Sequence, residues 1–294
     1  MFVMAKIHLS LFMFLFFGCI SEIKLDEKRN ANGKKTIELR SVKIAAFNTK
    51  TFGAKKSSDP DILKKVIQII EKYDIILLQE IRNKDLDAVI ELHNKLLETS
   101  PSYDYKISDP IGRTSYKEQY AYFFNSDKII PLNEDTYPDH QDDFEREPYI
   151  IHFKIKNSDT DFTLIGAHIK PGDAVKEIAQ LDNVYDYTKE TFNEEDAFIL
   201  GDLNSDCSYV SDEELNLAFF NVDKRFESFI DRYQDTTATS TDCAYDRIIG
   251  TKSISPFVQE GSAKVFNFTE AWGLTQEEAL KISDHFPVEI TLNY

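Results

Sequence analysis

The run Asp74-Ile75-Ile76-Leu77-Leu78-Gln79-Glu80 decides how the rest of the chain is read. Its apolar residues follow one another without alternation, the mark of a strand covered on both faces, and such strands belong to sheets wrapped by helices. The run stops at a carboxylate. Three others also stop at a polar side chain: Val42-Lys43-Ile44-Ala45-Ala46-Phe47 at Asn48, Phe162-Thr163-Leu164-Ile165-Gly166-Ala167 at His168, and Ala197-Phe198-Ile199-Leu200 through Gly201 at Asp202 and Asn204. A fifth segment, Ile282-Ser283-Asp284-His285, leads into an alternating Phe286, Val288, Ile290 strand. One Asn or Asp after a strand is an ordinary turn residue. Several runs that each deliver a metal-capable or titratable group to a strand end point instead to a shared site, because α/β sheets bind their ligands there.

Helical patterns lie between the strands. Asp59-Pro60 is a cap followed by a first-turn proline, with Ile62, Leu63, Val66, Ile67 and Ile70 at helical spacing. Pro171-Gly172-Asp173 opens a second helix carrying Ala174, Ile178, Leu181 and Tyr185, and capping boxes start at Ser211 and Thr275. No repeat, low-complexity tract or linker interrupts residues 36–294, so the pattern predicts one α/β domain with more than one sheet.

Composition sets limits on function. With 294 residues, 42% hydrophobic content, 22 Phe and 14 Tyr, the chain can fill a large core, which excludes global disorder. Its 34 Lys and Arg against 51 Asp and Glu leave a formal charge of -17, which argues against passive binding to a polyanion. A nucleic-acid substrate would need divalent cations and a few well-placed arginines. At the N-terminus, Lys6 precedes an apolar run from Leu9 to Phe17 that is too short to span a bilayer, and Gly18-Cys19 follows. Residues 1–18 are read as an export signal. It is either a lipoprotein signal that leaves a lipid on Cys19, and with it a membrane tether, or an ordinary cleaved secretory signal; both export the protein. Residues 19–35, charged and aperiodic, are read as a flexible tether. Setting Cys19 aside leaves Cys207 and Cys243, and a bridge between them is the simplest use of an even pair in an exported chain.

One set of motifs, in this order, carries a resemblance. It comprises Ile44-Ala45-Ala46-Phe47-Asn48 with Thr51-Phe52-Gly53, Leu78-Gln79-Glu80-Ile81-Arg82, Ser115-Tyr116-Lys117-Glu118, Arg146-Glu147-Pro148, Gly201-Asp202-Leu203-Asn204 through Val210, Asp235 to Thr241, Cys243-Ala244-Tyr245-Asp246-Arg247 and Ser283-Asp284-His285. The chain from about residue 41 onward resembles the deoxyribonuclease I family, within the wider endonuclease/exonuclease/phosphatase superfamily. The resemblance implies an α/β fold of four layers, an α/β/β/α sandwich with two packed mixed β-sheets. It also implies a secreted, divalent-metal-dependent endonuclease that hydrolyses DNA phosphodiester bonds largely without regard to sequence and leaves 5′-phosphate ends.

Phosphodiester hydrolysis needs a base for water, an acid for the leaving oxygen, and positive charge on the transition state. Histidine suits the first two tasks when a carboxylate holds it. The resemblance implies the pairs His285 with Asp246 and His168 with Glu118; His285 is assigned as base and His168 as acid. His8, His93, His140 and His152 are read as structural. Glu80, Asn48 and Asp284 offer hard oxygens for Mg²⁺ or Mn²⁺, and the resemblance puts Asp202 and Asn204 against the scissile phosphate, where a second ion binds. It also implies a DNA-facing set: Arg82 in the minor groove, Tyr116 stacked on a sugar or base edge, Arg113 and Arg146 on phosphates, and Tyr209. Asp235, Thr237, Thr239 and Thr241 place oxygens on alternate residues and suit a structural Ca²⁺, which the resemblance supports. A second calcium site of the family would lie around Asp142, Phe144 and Glu147.

Departures from the family pattern are also legible. Pro138-Asp139-His140-Gln141-Asp142 lacks the cysteines of the family's small second disulfide, so that loop should be looser, and Gln119 replaces a frequent basic residue. Actin binding is not carried over at Ile107 and Tyr149, and a monomer is expected. An alternative reading is another phosphodiesterase or phosphatase of the superfamily acting on a lipid or small phosphate ester; its sign would be apolar membrane-contact insertions, which the sequence lacks. A non-catalytic binding protein would require loss of Glu80, Glu118, His168, Asp202, Asp246 or His285, and all six are present.

Overall fold

The computed structural model describes residues 26–29, 35–38, 40–82 and 86–294. The export signal and Cys19 lie outside the described residues. The chain divides after Glu38 into two units. In the first, β1 (Asp26–Arg29) pairs antiparallel with β2 (Lys35–Glu38), Asp26 opposite Glu38. A tether reading of 19–35 does not anticipate this pairing.

The second unit, Leu39–Tyr294, contains two six-stranded sheets. The first has β3 (Ser41–Phe52), β4 (Ile75–Ile81), β5 (Tyr103–Ile107), β6 (Gln119–Asn125), β13 (Lys264–Val265) and β14 (Val288–Asn293) in the spatial order β13-β14-β3-β4-β6-β5. The second has β7 (Ile129–Thr136), β8 (Tyr149–Ile155), β9 (Asp161–Gly166), β10 (Ala197–Asp202), β11 (Phe226–Ser228) and β12 (Asp246–Thr251) in the order β11-β12-β10-β9-β8-β7. Each sheet keeps one parallel pair at its centre, β3 with β4 and β9 with β10, among antiparallel neighbours.

Alternate residues of every central strand supply two different cores. Ile44, Ala46, Ile75, Leu77 and Tyr122 face inward and meet Ile151, Phe153, Leu164, Leu200 and Ile248 of the opposite sheet. The residues between them face outward. Ala45, Phe47, Ile76 and Leu78 pack under the helices Pro60–Ile70 and Asp87–Thr99, while Ile150, Ile165 and Ile199 pack under the helix Leu181–Phe192. The unbroken apolar runs of the sequence follow from this, since both faces of β4 and β10 are covered. The result is the α/β/β/α sandwich.

The capping signals work as read. Asp59 accepts the N–H groups of Asp61 and Ile62, and both capping boxes close. The segment after Pro171 differs from the single helix expected. A short 3-10 turn, Pro171–Asp173, and a helix Ala174–Ile178 precede the helix Leu181–Phe192. An i→i+3 bond from Gln180 N–H to the Glu177 carbonyl tightens the corner, and it lets Ile178 and Leu181, three positions apart, both reach the core.

Cys207 and Cys243 are bridged across 36 residues of sequence with Cα atoms 5.9 Å apart. Closing a loop of that length restricts the unfolded chain, so reduction or a Cys207→Ala/Cys243→Ala pair is expected to cost roughly 3–4 kcal/mol. Urea denaturation with and without reductant measures it; coincident midpoints would contradict the expectation.

Candidate active site

Asn48 and Glu80 do not sit where their strands stop. β3 runs on to Phe52 and β4 to Ile81, and both polar residues lie at register breaks: between Asn48 and Phe52 in the β3–β4 pairing, and between Leu78 and Ile81 in the β4–β6 pairing. Lys50, Thr51 and Glu80 adopt positive φ (46°, 60° and 59°), costly for residues with a side chain. Such bulges re-aim side chains. Here Glu80 is turned to Asn48, whose Nδ2 donates to Glu80 Oε1 (3.0 Å) and to Asp202 Oδ2 (3.0 Å), tying the two sheets together. Glu80 Oε2 accepts from Thr51 N (2.9 Å) and Oγ1 (3.1 Å).

Three supporting side chains were not singled out from the sequence. Gln79 is fully buried; its Nε2 donates to the Ala167 carbonyl (2.8 Å) and its Oε1 accepts from Asp202 N–H (3.0 Å), so a residue of the first sheet sets two strand ends of the second. A buried amide inside an apolar strand requires such partners, and that signal was available. Tyr120 Oη accepts from His168 N–H (2.7 Å). Lys56 Nζ donates to the carbonyls of Thr49 (2.5 Å), Lys50 (2.8 Å) and Ile282 (2.7 Å), clamping the bulge of β3 to the approach to His285; burial pulls its pKa down to about 8.

The two histidine–carboxylate pairs form within one cleft. His285 Nδ1 lies 2.8 Å from Asp246 Oδ2, and His168 Nδ1 lies 2.6 Å from Glu118 Oε1. Their Nε2 atoms stand 3.6 Å and 3.5 Å from the same oxygen, Asp202 Oδ2. With each Nδ1 committed to a carboxylate, each Nε2 is the atom left to exchange a proton. Asp202, Asp246 and His285 are close enough to hold an ion between them, but the short Nδ1–Asp246 contact makes that trio a pair plus Asp202 rather than a ligand set.

Charge in the cleft is unbalanced. Burial disfavours the imidazolium of His285, yet Asp246 and then Asp202 outweigh it and raise its pKa to about 10. His168 moves the same way, burial being overcome by Glu118. Burial opposes ionisation of Asp202 too, but His285 and His168 hold its pKa below the usual carboxylate range. Asp246 Oδ1 and Glu118 Oε2 are buried without partners. The hard oxygens of Glu80, Asn48 and Asp202, gathered beside these pairs, suit a divalent cation, and one bound there would lower the imidazole pKa values. In metal-free protein the His285 Cε1–H resonance is therefore expected to titrate near 10 and to move down on addition of Mg²⁺. A midpoint near 6.5 indifferent to Mg²⁺ would contradict this reading. Because the folded-state value is raised, the contribution of His285 to stability is complete below the ordinary imidazole pKa and is lost as pH rises toward about 10.

The Arg82 guanidinium lies 3.2 Å above the ring of Tyr116, which is 48% exposed, so the two form one unit on the rim. Arg146 Nε donates to the His168 carbonyl (2.9 Å) and stands 3.4 Å from Glu118 Oε1, while its buried Nη2 has no partner. Tyr209 packs 5.4 Å from Tyr245, itself 6.2 Å from His285. Arg113 is paired with Asp142 (2.7 Å), so it reaches a phosphate only if that pair opens. Asp284 is held by Lys50 (2.9 Å), and Asn204, at φ 48°, donates through Nδ2 to the Ile169 carbonyl (2.9 Å). The oxygens of Asp235, Thr237, Thr239 and Thr241 do converge: Thr237 Oγ1 meets Asp235 Oδ1 (2.8 Å) and the Thr241 carbonyl (2.7 Å), and Thr239 Oγ1 meets Thr241 Oγ1. Ala238 N–H and Phe286 N–H bond to Asp284 and Thr236 carbonyls, so this loop braces the segment that carries His285.

Residues 45–285 match the profile of the Endonuclease/Exonuclease/phosphatase family. Over 260 residues the chain is 40% identical to Deoxyribonuclease-1 of Bos taurus, covering 86% of this chain and 92% of that one. The chain belongs to the deoxyribonuclease-1 family. The human Deoxyribonuclease-1 is 39% identical over the same length and coverage. Among solved structures, the human Nocturnin catalytic domain shares the fold at a TM-score of 0.59 and 13% identity, covering 86% of this chain and 95% of that one. Within the deoxyribonuclease-1 family frame, the loop before Arg146 closes without cysteines: Asp139 accepts the N–H groups of Asp143 (2.9 Å) and Phe144 (2.7 Å). Beside it Glu147 Oε2 is buried without a partner, while Asp142 is engaged by Arg113.

Proposed function

We propose that this chain is a divalent-metal-dependent endonuclease that hydrolyses the phosphodiester backbone of DNA with little sequence preference and leaves 5′-phosphate ends. The observation that carries the proposal is that His168 and His285, from opposite sheets, aim Nε2 at one oxygen of Asp202. A phosphate seated there has a base on one side and an acid on the other. His285 Nε2 takes a proton from water as it attacks phosphorus, and Asp246 stabilises the resulting imidazolium. His168 Nε2 gives a proton to the departing 3′-oxygen, with Glu118 fixing its ring. The unpartnered Nη2 of Arg146 is suited to a non-bridging oxygen. Mg²⁺ or Mn²⁺ bound by Glu80, Asn48 and Asp202 or Asp284 would add positive charge on that oxygen, and Ca²⁺ at Asp235, Thr237, Thr239 and Thr241 would stiffen the loop behind His285.

Arg82 and Tyr116 form a cation–aromatic wedge fit for the minor groove, which reads shape more than sequence. The formal charge of -17 makes binding depend on these few contacts and on the cation. Among the described residues no helix is long and apolar enough to cross a membrane. Export through residues 1–18, with or without a lipid on Cys19, is read out by mass spectrometry of the mature N-terminus. Supercoiled plasmid, single-stranded RNA and sphingomyelin incubated in parallel with Mg²⁺ and Ca²⁺ test the substrate class. Nicking of the plasmid alone is expected; faster turnover of RNA or sphingomyelin would sink the proposal.

A further inference from the structure

His152, Asp161 and Glu194 meet at the end of the second sheet remote from His168. On the β8–β9 pair His152 stands opposite Thr163 and Lys154 opposite Asp161, which makes His152 and Asp161 diagonal neighbours on one face. That face is the helix-covered one, shared with Ile150 and Ile165. The His152 ring stacks on Phe192, the last residue of the helix Leu181–Phe192 (5.9 Å between centroids, 19° between planes). Asn193 follows at φ 53° and turns the chain so that Glu194 comes back to the imidazole. His152 Nε2 lies 2.9 Å from Asp161 Oδ2, and one ligand-capable atom from each of the three residues lies within 4.8 Å of the others.

Among the described residues neither Asp161 nor Glu194 is ion-paired with a lysine or arginine, although Lys154 stands opposite Asp161. The carboxylates stand beside the C-terminal carbonyls of a 12-residue helix, whose dipole adds negative potential. Lys189, the basic residue of the last turn, is taken by Glu195 (2.9 Å). His152 is only 6% exposed, and its Nδ1 has no partner. A structural histidine buried for packing alone does not require two carboxylates gathered beside its ring.

We propose that His152, Asp161 and Glu194 form a second metal site, separate from the nuclease centre, that takes a divalent transition-metal ion, zinc being the ion its donors fit best. One imidazole and two carboxylates, Asp161 being part-exposed, are a three-ligand zinc set. With bonds of about 2.0–2.2 Å, neighbouring ligands on a tetrahedral ion stand roughly 3.3 Å apart, so His152 and Asp161 need to part by only a few tenths of an ångström. The six residues of β9 separate this site from His168 by about 20 Å. A bound ion would fasten the β8–β9 hairpin to the connection between the helix Leu181–Phe192 and β10.

The test is zinc titration of the intact protein in excess Mg²⁺, followed by calorimetry and thermal denaturation, alongside Glu194→Gln and His152→Gln. Glu194→Gln keeps an acceptor for Asp196 N–H and so preserves the local turn. The wild-type protein is expected to bind one more zinc than either variant and to gain melting temperature that both variants fail to gain, while plasmid nicking without zinc stays unchanged in Glu194→Gln. Should His152→Gln not fold, the visible band of tetrahedral Co²⁺, present in wild type and lost in Glu194→Gln, decides. Equal stoichiometry and equal thermal gain in wild type and Glu194→Gln would overturn the proposal.

Discussion

His285→Asn is expected to slow DNA hydrolysis by roughly 10³- to 10⁴-fold, and His168→Asn by a comparable factor, because each removes the proton-transfer partner on one side of the phosphorus. The loss should fall on kcat, with KM little changed, since neither imidazole is the main grip on the duplex. The two residues act as a unit, so the double variant should be little slower than the worse single one. Asparagine keeps a short polar contact toward Asp246, which is fully buried and already has one unpartnered oxygen, so the fold should survive. Single-turnover plasmid nicking reads the effect; a loss under tenfold for either variant would contradict the assigned roles.

Gly201→Ala is expected to damage stability and activity together. Gly201 sits in β10 at φ 135°, and an added Cβ would lie 2.3 Å from the Ala167 carbonyl oxygen and 2.7 Å from Gln79 Nε2. Neither neighbour can yield without breaking the amide bridge that sets Ala167 and Asp202. A forced left-handed conformation plus a backbone clash should cost about 3 kcal/mol or more. Displacing Asp202 by as little as about 1 Å should cost on the order of 100-fold in rate. Gly172, with nothing within 4 Å of its added Cβ, is the control and should tolerate alanine. Urea midpoints and kcat for the two variants give the comparison; a Gly201→Ala protein that matches Gly172→Ala in both would show that this close approach is not needed.

The layered architecture was legible because both faces of β4 and β10 are covered, which writes itself into the sequence as unbroken apolar runs. The polar residues that end or interrupt those runs were legible for the same reason. What bends Asn48 and Glu80 toward each other was not, because a bulge is a mismatch of register between strands far apart in the chain and leaves no local pattern. Lys56 reads as an ordinary charged residue of a short helix; one of its three acceptors, the Ile282 carbonyl, lies 226 residues away. His152 reads as one more structural histidine until β9 and the turn after Phe192 bring it two carboxylates. The resemblance implies Arg113 on a phosphate, and its pairing with Asp142 across 29 residues, which would have to open first, leaves no local pattern.

The proposed chemistry requires one phosphorus atom between the imidazoles of His168 and His285. A crystal structure with a short non-hydrolysable DNA duplex tests it most directly. The expected result is a single backbone phosphate whose oxygens lie within hydrogen-bond reach of both Nε2 atoms, on the cleft side of Asp202. A phosphate that touches one histidine while the other faces solvent or protein would contradict it.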